Sequence, residues 1–173
     1  MEAGFDPREV MDKNDLARLF PMVADDYLAE TFPMCLEVAD GEAEPISHRV
    51  CHQDAEAIEA ALDLVLWQGE DGARLGGKGI GGKGRLKPKG QEALSWEALF
   101  ADRYHAGCGV PVSQIGERLA PDGALKAEIS NAAARHIHTL RGRLKDGAGI
   151  VTDDGAYRLG RRLCLGRIRP AVN

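Results

Sequence analysis

Mostly helix with a small amount of strand is the fold this sequence predicts, as an α-rich front module ahead of a three-helix unit closed by a β-ribbon. Three observations predict it. An apolar stripe at helical spacing runs through residues 54–68, and three helical segments with capping residues follow one another between residues 95 and 145. Asp154-Gly155 then separates two short apolar runs. Caps and a 3.6-residue period specify helices, and Asp-Gly between short runs specifies a tight hairpin.

The front opens on Asp6-Pro7, a helix cap followed by a first-turn proline. Asn14-Asp15 starts a second short helix through Leu16, Leu19 and Phe20, which Pro21 interrupts. Residues 22–32 read as helix again, with Val23, Tyr27 and Leu28 on one face. Phe-Pro-Met occurs at 20–22 and at 32–34, which gives two similar joints and too little for a repeat. Residues 35–38 and 46–50 alternate apolar and polar side chains around Gly41, predicting a weak hairpin.

Residues 54–68 form the clearest front element. Ile58, Ala61, Leu62, Val65 and Leu66 fall on one helical stripe, predicting an amphipathic helix that Gly69 stops. Leu64 and Trp67 lie off that stripe, so the helix is expected to be covered on a second side, by a partner subunit or by the rest of the chain.

Residues 75–90 hold seven glycines and five basic residues without periodicity. Ordering so many glycines is costly, so a flexible linker or mobile loop is expected. It divides the chain into an acidic α-rich module for dimerisation or partner binding (1–74), a Gly/Lys-rich linker (75–92) and a C-terminal domain with a basic tail (93–173).

Ser95 can cap a helix over 96–105 with Leu99 and Phe100 inward and Gly107 as terminator. Residues 110–112 are short and extended. Ser113 can cap a helix over 114–119, broken by Pro121-Asp122-Gly123. A third helix is expected over 126–145, with Ile129, Ala133, Ile137, Leu140 and Leu144 as its core stripe and Gly147 as its end. Residues 150–152 and 156–159 then pair around Asp153-Asp154-Gly155. Three helices, the last one basic, followed directly by a two-stranded ribbon, make a winged helix-turn-helix. The predicted class is therefore mainly α with small β, an α-rich N-terminal module plus a C-terminal winged helix-turn-helix. A helix fits the major groove, a hairpin reaches the adjoining backbone, and arginines neutralise phosphates.

The runs Val112-Ser113-Gln114-Ile115-Gly116-Glu117-Arg118-Leu119, Ala134-Arg135-His136-Ile137-His138-Thr139-Leu140-Arg141-Gly142-Arg143-Leu144, and Ile150-Val151-Thr152 with Gly155-Ala156-Tyr157-Arg158-Leu159 carry a resemblance. Over about residues 93–159 the chain resembles the C-terminal effector domain of OmpR/PhoB-type response regulators. The resemblance implies a bacterial transcription regulator with the third helix in the major groove and the wing on the flanking minor groove. It implies that His136, Thr139, Arg141 and Arg143 face or flank DNA and that Thr152 and Tyr157 contact phosphate. Two departures stand out. Asn131 and Ala132 replace the usual basic residue and Thr at the front of the groove helix, and Asp153 and Asp154 occupy a shortened wing turn where Arg is usual. Asn131 can still read adenine. Arg135, Arg158, Arg161 and Arg162, with Arg167 and Arg169 further along the tail, are expected to supply phosphate contacts that the acidic wing lacks.

Charge is distributed to match. The chain has a net charge of -5, but residues 1–73 hold -14 and residues 135–173 hold +6. Such asymmetry suits a protein with one end toward nucleic acid. The start shows no signal peptide and no run of about 18 apolar residues occurs, so a cytoplasmic location is expected. Cys35, Cys51, Cys108 and Cys164 are then expected as free thiols.

Other constellations are weaker. Gly77-x-x-x-x-Gly82-Lys83 is followed by Gly84 where a P-loop needs Ser or Thr, and a helix is expected before it where a P-loop needs a strand. Cys35, His48, Cys51 and His52 hold metal-ligating atoms at a spacing that is not a standard zinc pattern. The front half lacks the repeated strand-helix pattern and phosphoacceptor Asp of a receiver domain. Its carboxylates are dispersed along helices, so no enzyme, metal or cofactor is expected.

The expected function is a transcriptional regulator that binds double-stranded DNA, with a homodimer as one assembly it allows. The alternative is an adaptor whose winged helix or acidic front contacts RNA polymerase or another regulator. A metal- or redox-sensing regulator using the Cys/His group is a third. No membrane partner is expected.

Overall fold

A computed structural model describes residues 33–41, 43–81, 85–105, 107–145 and 149–171. The helices expected before residue 33, the end of the third helix at Gly147, and Gly82 to Gly84 lie outside the described residues.

The expected front hairpin forms. Strands β1 (Met34–Ala39) and β2 (Ile46–Val50) pair antiparallel, Leu36 opposite His48. After a 3-10 turn at His52–Asp54 comes α1 (Ala55–Ala61), and the helix stops there. Leu62 is already extended, and Leu64–Gly69 is a strand, β3, paired with β4 (Gly72–Gly76). The helix expected to run to Gln68 is thus half helix and half strand. Its second half is the continuous apolar run Leu64-Val65-Leu66-Trp67, which suits a strand buried on both faces. Leu64 and Leu66 enter one core cluster, while Val65 and Trp67 enter another on the opposite face. A helical stripe over such a run is a coincidence of spacing, and the off-stripe Leu64 and Trp67 marked it.

The C-terminal residues complete this sheet. Strand β8 (Leu165–Pro170) lies between β1 and β3, antiparallel to the first and parallel to the second, giving the order β2-β1-β8-β3-β4. The mainly α class is therefore overturned: a five-stranded sheet makes this a mixed α and β protein.

The remaining elements fall close to the expected segments. They are α2 (Gln91–His105), β5 (Val110–Pro111), α3 (Val112–Gly116), α4 (Lys126–Gly142), β6 (Ile150–Asp153) and β7 (Ala156–Leu159). Strands β5, β7 and β6 make a second sheet in that order. Ser95 is not the cap of α2. The helix starts at Gln91, and the Ser95 hydroxyl donates to the Gln91 carbonyl at 2.8 Å. The hairpin turn holds Asp154 at φ 46 and Gly155 at φ 73, the two left-handed residues that a tight primed turn demands.

One core joins the two sheets. Leu64, Leu66 and Leu75 pack with Trp96, Leu99 and Phe100 of α2, Ile137 and Leu140 of α4, and Ile150 and Leu159 of the hairpin. Each of these large side chains, nearly all fully buried, contributes about 2–3 kcal/mol of transfer free energy. The segment read as a flexible linker is built into this core among its described residues. Leu75 and Leu86 exchange backbone hydrogen bonds at 2.9 Å, and Ile80, 4% exposed, bridges to Leu144.

Candidate nucleic-acid interface

Helix α4 is set by its contact with α3. A Cβ on Gly116 would stand 2.2 Å from the Ile129 carbonyl oxygen, so only glycine lets α3 come this close. Glu128 Oε2 accepts the Leu125 N–H at 2.7 Å and fixes where α4 begins. Ala133, Ile137 and Leu140 face inward, as their spacing predicts, and leave Ala127, Asn131, Ala134, Arg135 and His138 exposed on the other side.

The residues expected to contact DNA divide into three groups. Asn131, Arg135 and Thr139 lie exposed on α4. The Arg135 Nε–H donates to the Asn131 carbonyl at 3.4 Å, and the Thr139 hydroxyl donates to the Arg135 carbonyl at 3.2 Å.

A second group is spent on holding the unit together. Arg141 donates through Nε to the Ile150 carbonyl and through Nη2 to Thr152 Oγ1, both at 2.9 Å, which ties α4 to the hairpin. Arg143 pairs with Glu92 at 3.2 Å. His136 turns toward α2. The single Ser95 proton goes to Gln91, so its oxygen accepts from the His136 Nε2–H at 2.8 Å. Burial holds the His136 imidazole below its ordinary range, and Glu92 only partly opposes this. Tyr157, read as a phosphate contact, is 6% exposed and lies in the core.

The third group lies in and beyond β7. Arg158 pairs with Asp153 at 2.9 Å, so one acidic residue of the turn is neutralised within the sheet. Arg161 and Arg162 are exposed, and the Arg161 carbonyl accepts from Arg103. Arg167 and Arg169, read as a basic tail, are strand residues that converge on Glu37 at 2.7 and 3.0 Å. Arg167 is 6% exposed and lies 4.5 Å over the Tyr104 ring. The Tyr104 hydroxyl shares its one proton between the Glu37 carbonyl at 2.7 Å and the Leu165 carbonyl at 3.1 Å, and burial pushes the phenol pKa upward.

The sequence did not single out His138 as a site residue, although its signal was available as the complement of the core stripe, because residues 131, 135 and 138 share a face that 133, 137 and 140 avoid.

The remaining constellations do not assemble. Directly paired residues share a sheet face, so His48 lies with Leu36 on the face opposite Cys35. Cys51 donates through both its N–H and its thiol to Asp54. Among the described residues no three His, Cys, Asp or Glu side chains are placed to hold a metal. A strand, not the expected helix, precedes Gly77. The amides after it are nonetheless spent on the fold, Lys78 N–H on the Leu62 carbonyl at 3.0 Å and Gly79 N–H on the Asp63 carbonyl at 2.8 Å. A phosphate cradle needs such amides free. A cleft of about 810 Å³ lies at the end of the large sheet beside Trp67, with Arg74, Lys87 and Lys89 set against Glu70, Asp71 and Glu97. Its mixed charge selects no single ligand sign.

No family model, curated protein or solved structure matches this chain. Among the described residues no helix is long and apolar enough to cross a membrane.

Proposed function

We propose that the protein is a DNA-binding transcriptional regulator that lays the outer face of α4 in the major groove, as the resemblance to OmpR/PhoB-type effector domains implies. The reading is of a binding protein working in the cytoplasm, not an enzyme. One observation carries it. Asn131, Arg135 and His138 stand together on an exposed helix face, and among the described residues no carboxylate holds any of them, while the neighbouring arginines are occupied. The close α3–α4 packing and the Arg141 clamp support it by holding helix and hairpin as one rigid body.

The same geometry limits the affinity. Among the described residues Lys126, Arg135 and Lys145 are the exposed cations along and just beyond α4 that no carboxylate pairs, Arg143 being paired with Glu92, so about three positive charges offset phosphate charge. Each contributes about -0.9 to the slope of log K against log salt, which predicts a slope of about -3. Fluorescence anisotropy of a labelled duplex across a salt series measures it. Lys126→Glu with Arg135→Glu is expected to abolish binding, and retained binding would remove α4 from the interface.

A second reading, an adaptor that contacts RNA polymerase or another regulator, is favoured by two apolar side chains. Leu125 at the start of α4 is 71% exposed and Val151 on the hairpin is 39% exposed. Under this reading the same charge reversal leaves partner capture intact, while Leu125→Asp removes it.

A further inference from the structure

We propose that Asn131 and Arg135 form a two-residue base-reading pair, Asn131 taking the N6/N7 edge of an adenine and Arg135 the O6/N7 edge of a nearby guanine. The inference rests on the reading of α4 as the groove helix and adds what that helix recognises.

Availability comes first. Among the described residues Arg135 donates to the backbone carbonyl of Asn131 alone, which leaves the Asn131 side-chain amide with its donor and acceptor and Arg135 with four of its five guanidinium N–H groups. Two other polar groups near this face are committed. The Thr139 hydroxyl is bonded back to the Arg135 carbonyl, and Glu128 caps the start of the helix. Ala127 and Ala134, exposed on either side of Asn131, are small, and His138 follows Arg135 on the same face. Asn131 and Arg135 therefore stand proud of a low floor.

Chemistry then assigns the bases. A side-chain amide matches the adenine edge in the major groove, and a guanidinium matches the guanine edge, each through two hydrogen bonds. The spacing sets their separation. Four residues advance about 6 Å along a helix, and successive base pairs advance about 3.4 Å, so the two bases lie one or two steps apart. With Ala127 and Ala134 beside it, the pair itself reads about two base pairs.

Selection of the full chain on a random duplex library at about 50 mM salt tests this. Enriched duplexes are expected to share an adenine and a guanine one or two steps apart. Asn131→Ala is expected to erase the adenine preference, a loss of about 10-fold in discrimination, and to leave the guanine preference standing. Arg135→Lys keeps the charge and is expected to erase the guanine preference while general duplex affinity holds. If the wild-type chain binds duplex without this motif, or both variants enrich the wild-type motif, the pair is not the reader and DNA binding survives. If no duplex is retained at all, the groove reading fails and the pair falls with it.

Discussion

Two arginine-rich regions of this molecule do different work. On β8, Arg167 and Arg169 close on Glu37, and Arg167 is buried against Tyr104. On α4, Arg135 stands in solvent with only a long bond to its own helix. By sequence alone both belong to one basic C-terminal third. The difference teaches that net charge over a segment says little about which charges a ligand can meet. Strand pairing consumed the tail, whereas the helix kept one face outward.

Removing the acid from the first region gives the largest expected effect. Glu37→Ala strands a buried guanidinium, and an uncompensated buried charge costs about 3 kcal/mol. Urea unfolding measures it, and a loss below about 0.5 kcal/mol would mean that Arg167 is solvated after all. Arg135→Ala, at an exposed position, provides the contrast in the same assay, with a change within about 0.5 kcal/mol.

An intermediate effect is expected at the joint between helix and hairpin. Arg141→Ala removes two hydrogen bonds, each with a net contribution of about 1 kcal/mol, and so costs about 1–2 kcal/mol. Amide exchange should quicken across Ile150 to Thr152. Unchanged exchange there would show that the clamp does not hold the hairpin.

The smallest effect belongs to His136. Its folded-state pKa lies below the unfolded value of about 6.5, so protons bind the unfolded chain more tightly. Its contribution to stability is complete above that value and is lost as pH falls toward the depressed folded pKa. Thermal midpoints at pH 7.5 and 5.5 should fall less in His136→Gln than in the wild type. An equal fall in both would exclude this histidine as a source.

The back of the fold was legible because its signals are local. The spacing of Ile129, Ala133, Ile137 and Leu140 places α4, and Asp154-Gly155 places the hairpin, without reference to distant residues. The large sheet was not. Leu64 to Trp67 mimics a helical stripe until a partner strand exists for it, and Leu165 to Pro170 reads as a basic tail until Glu37 is set beside it. Strand identity there depends on pairing across more than 100 residues. The candidate site was half legible for the same reason. Asn131, Arg135 and Thr139 follow from helical period, whereas the capture of Arg143 by Glu92 and of Arg158 by Asp153 depends on tertiary placement.

Backbone amide shifts of isotope-labelled protein, followed as a duplex is added, decide whether α4 is the helix that meets DNA. Shifts are expected to concentrate on the exposed face of α4, from Lys126 through Thr139, with β8 unmoved. Shifts centred on β8 and the residues around Arg161, with α4 unmoved, would contradict it.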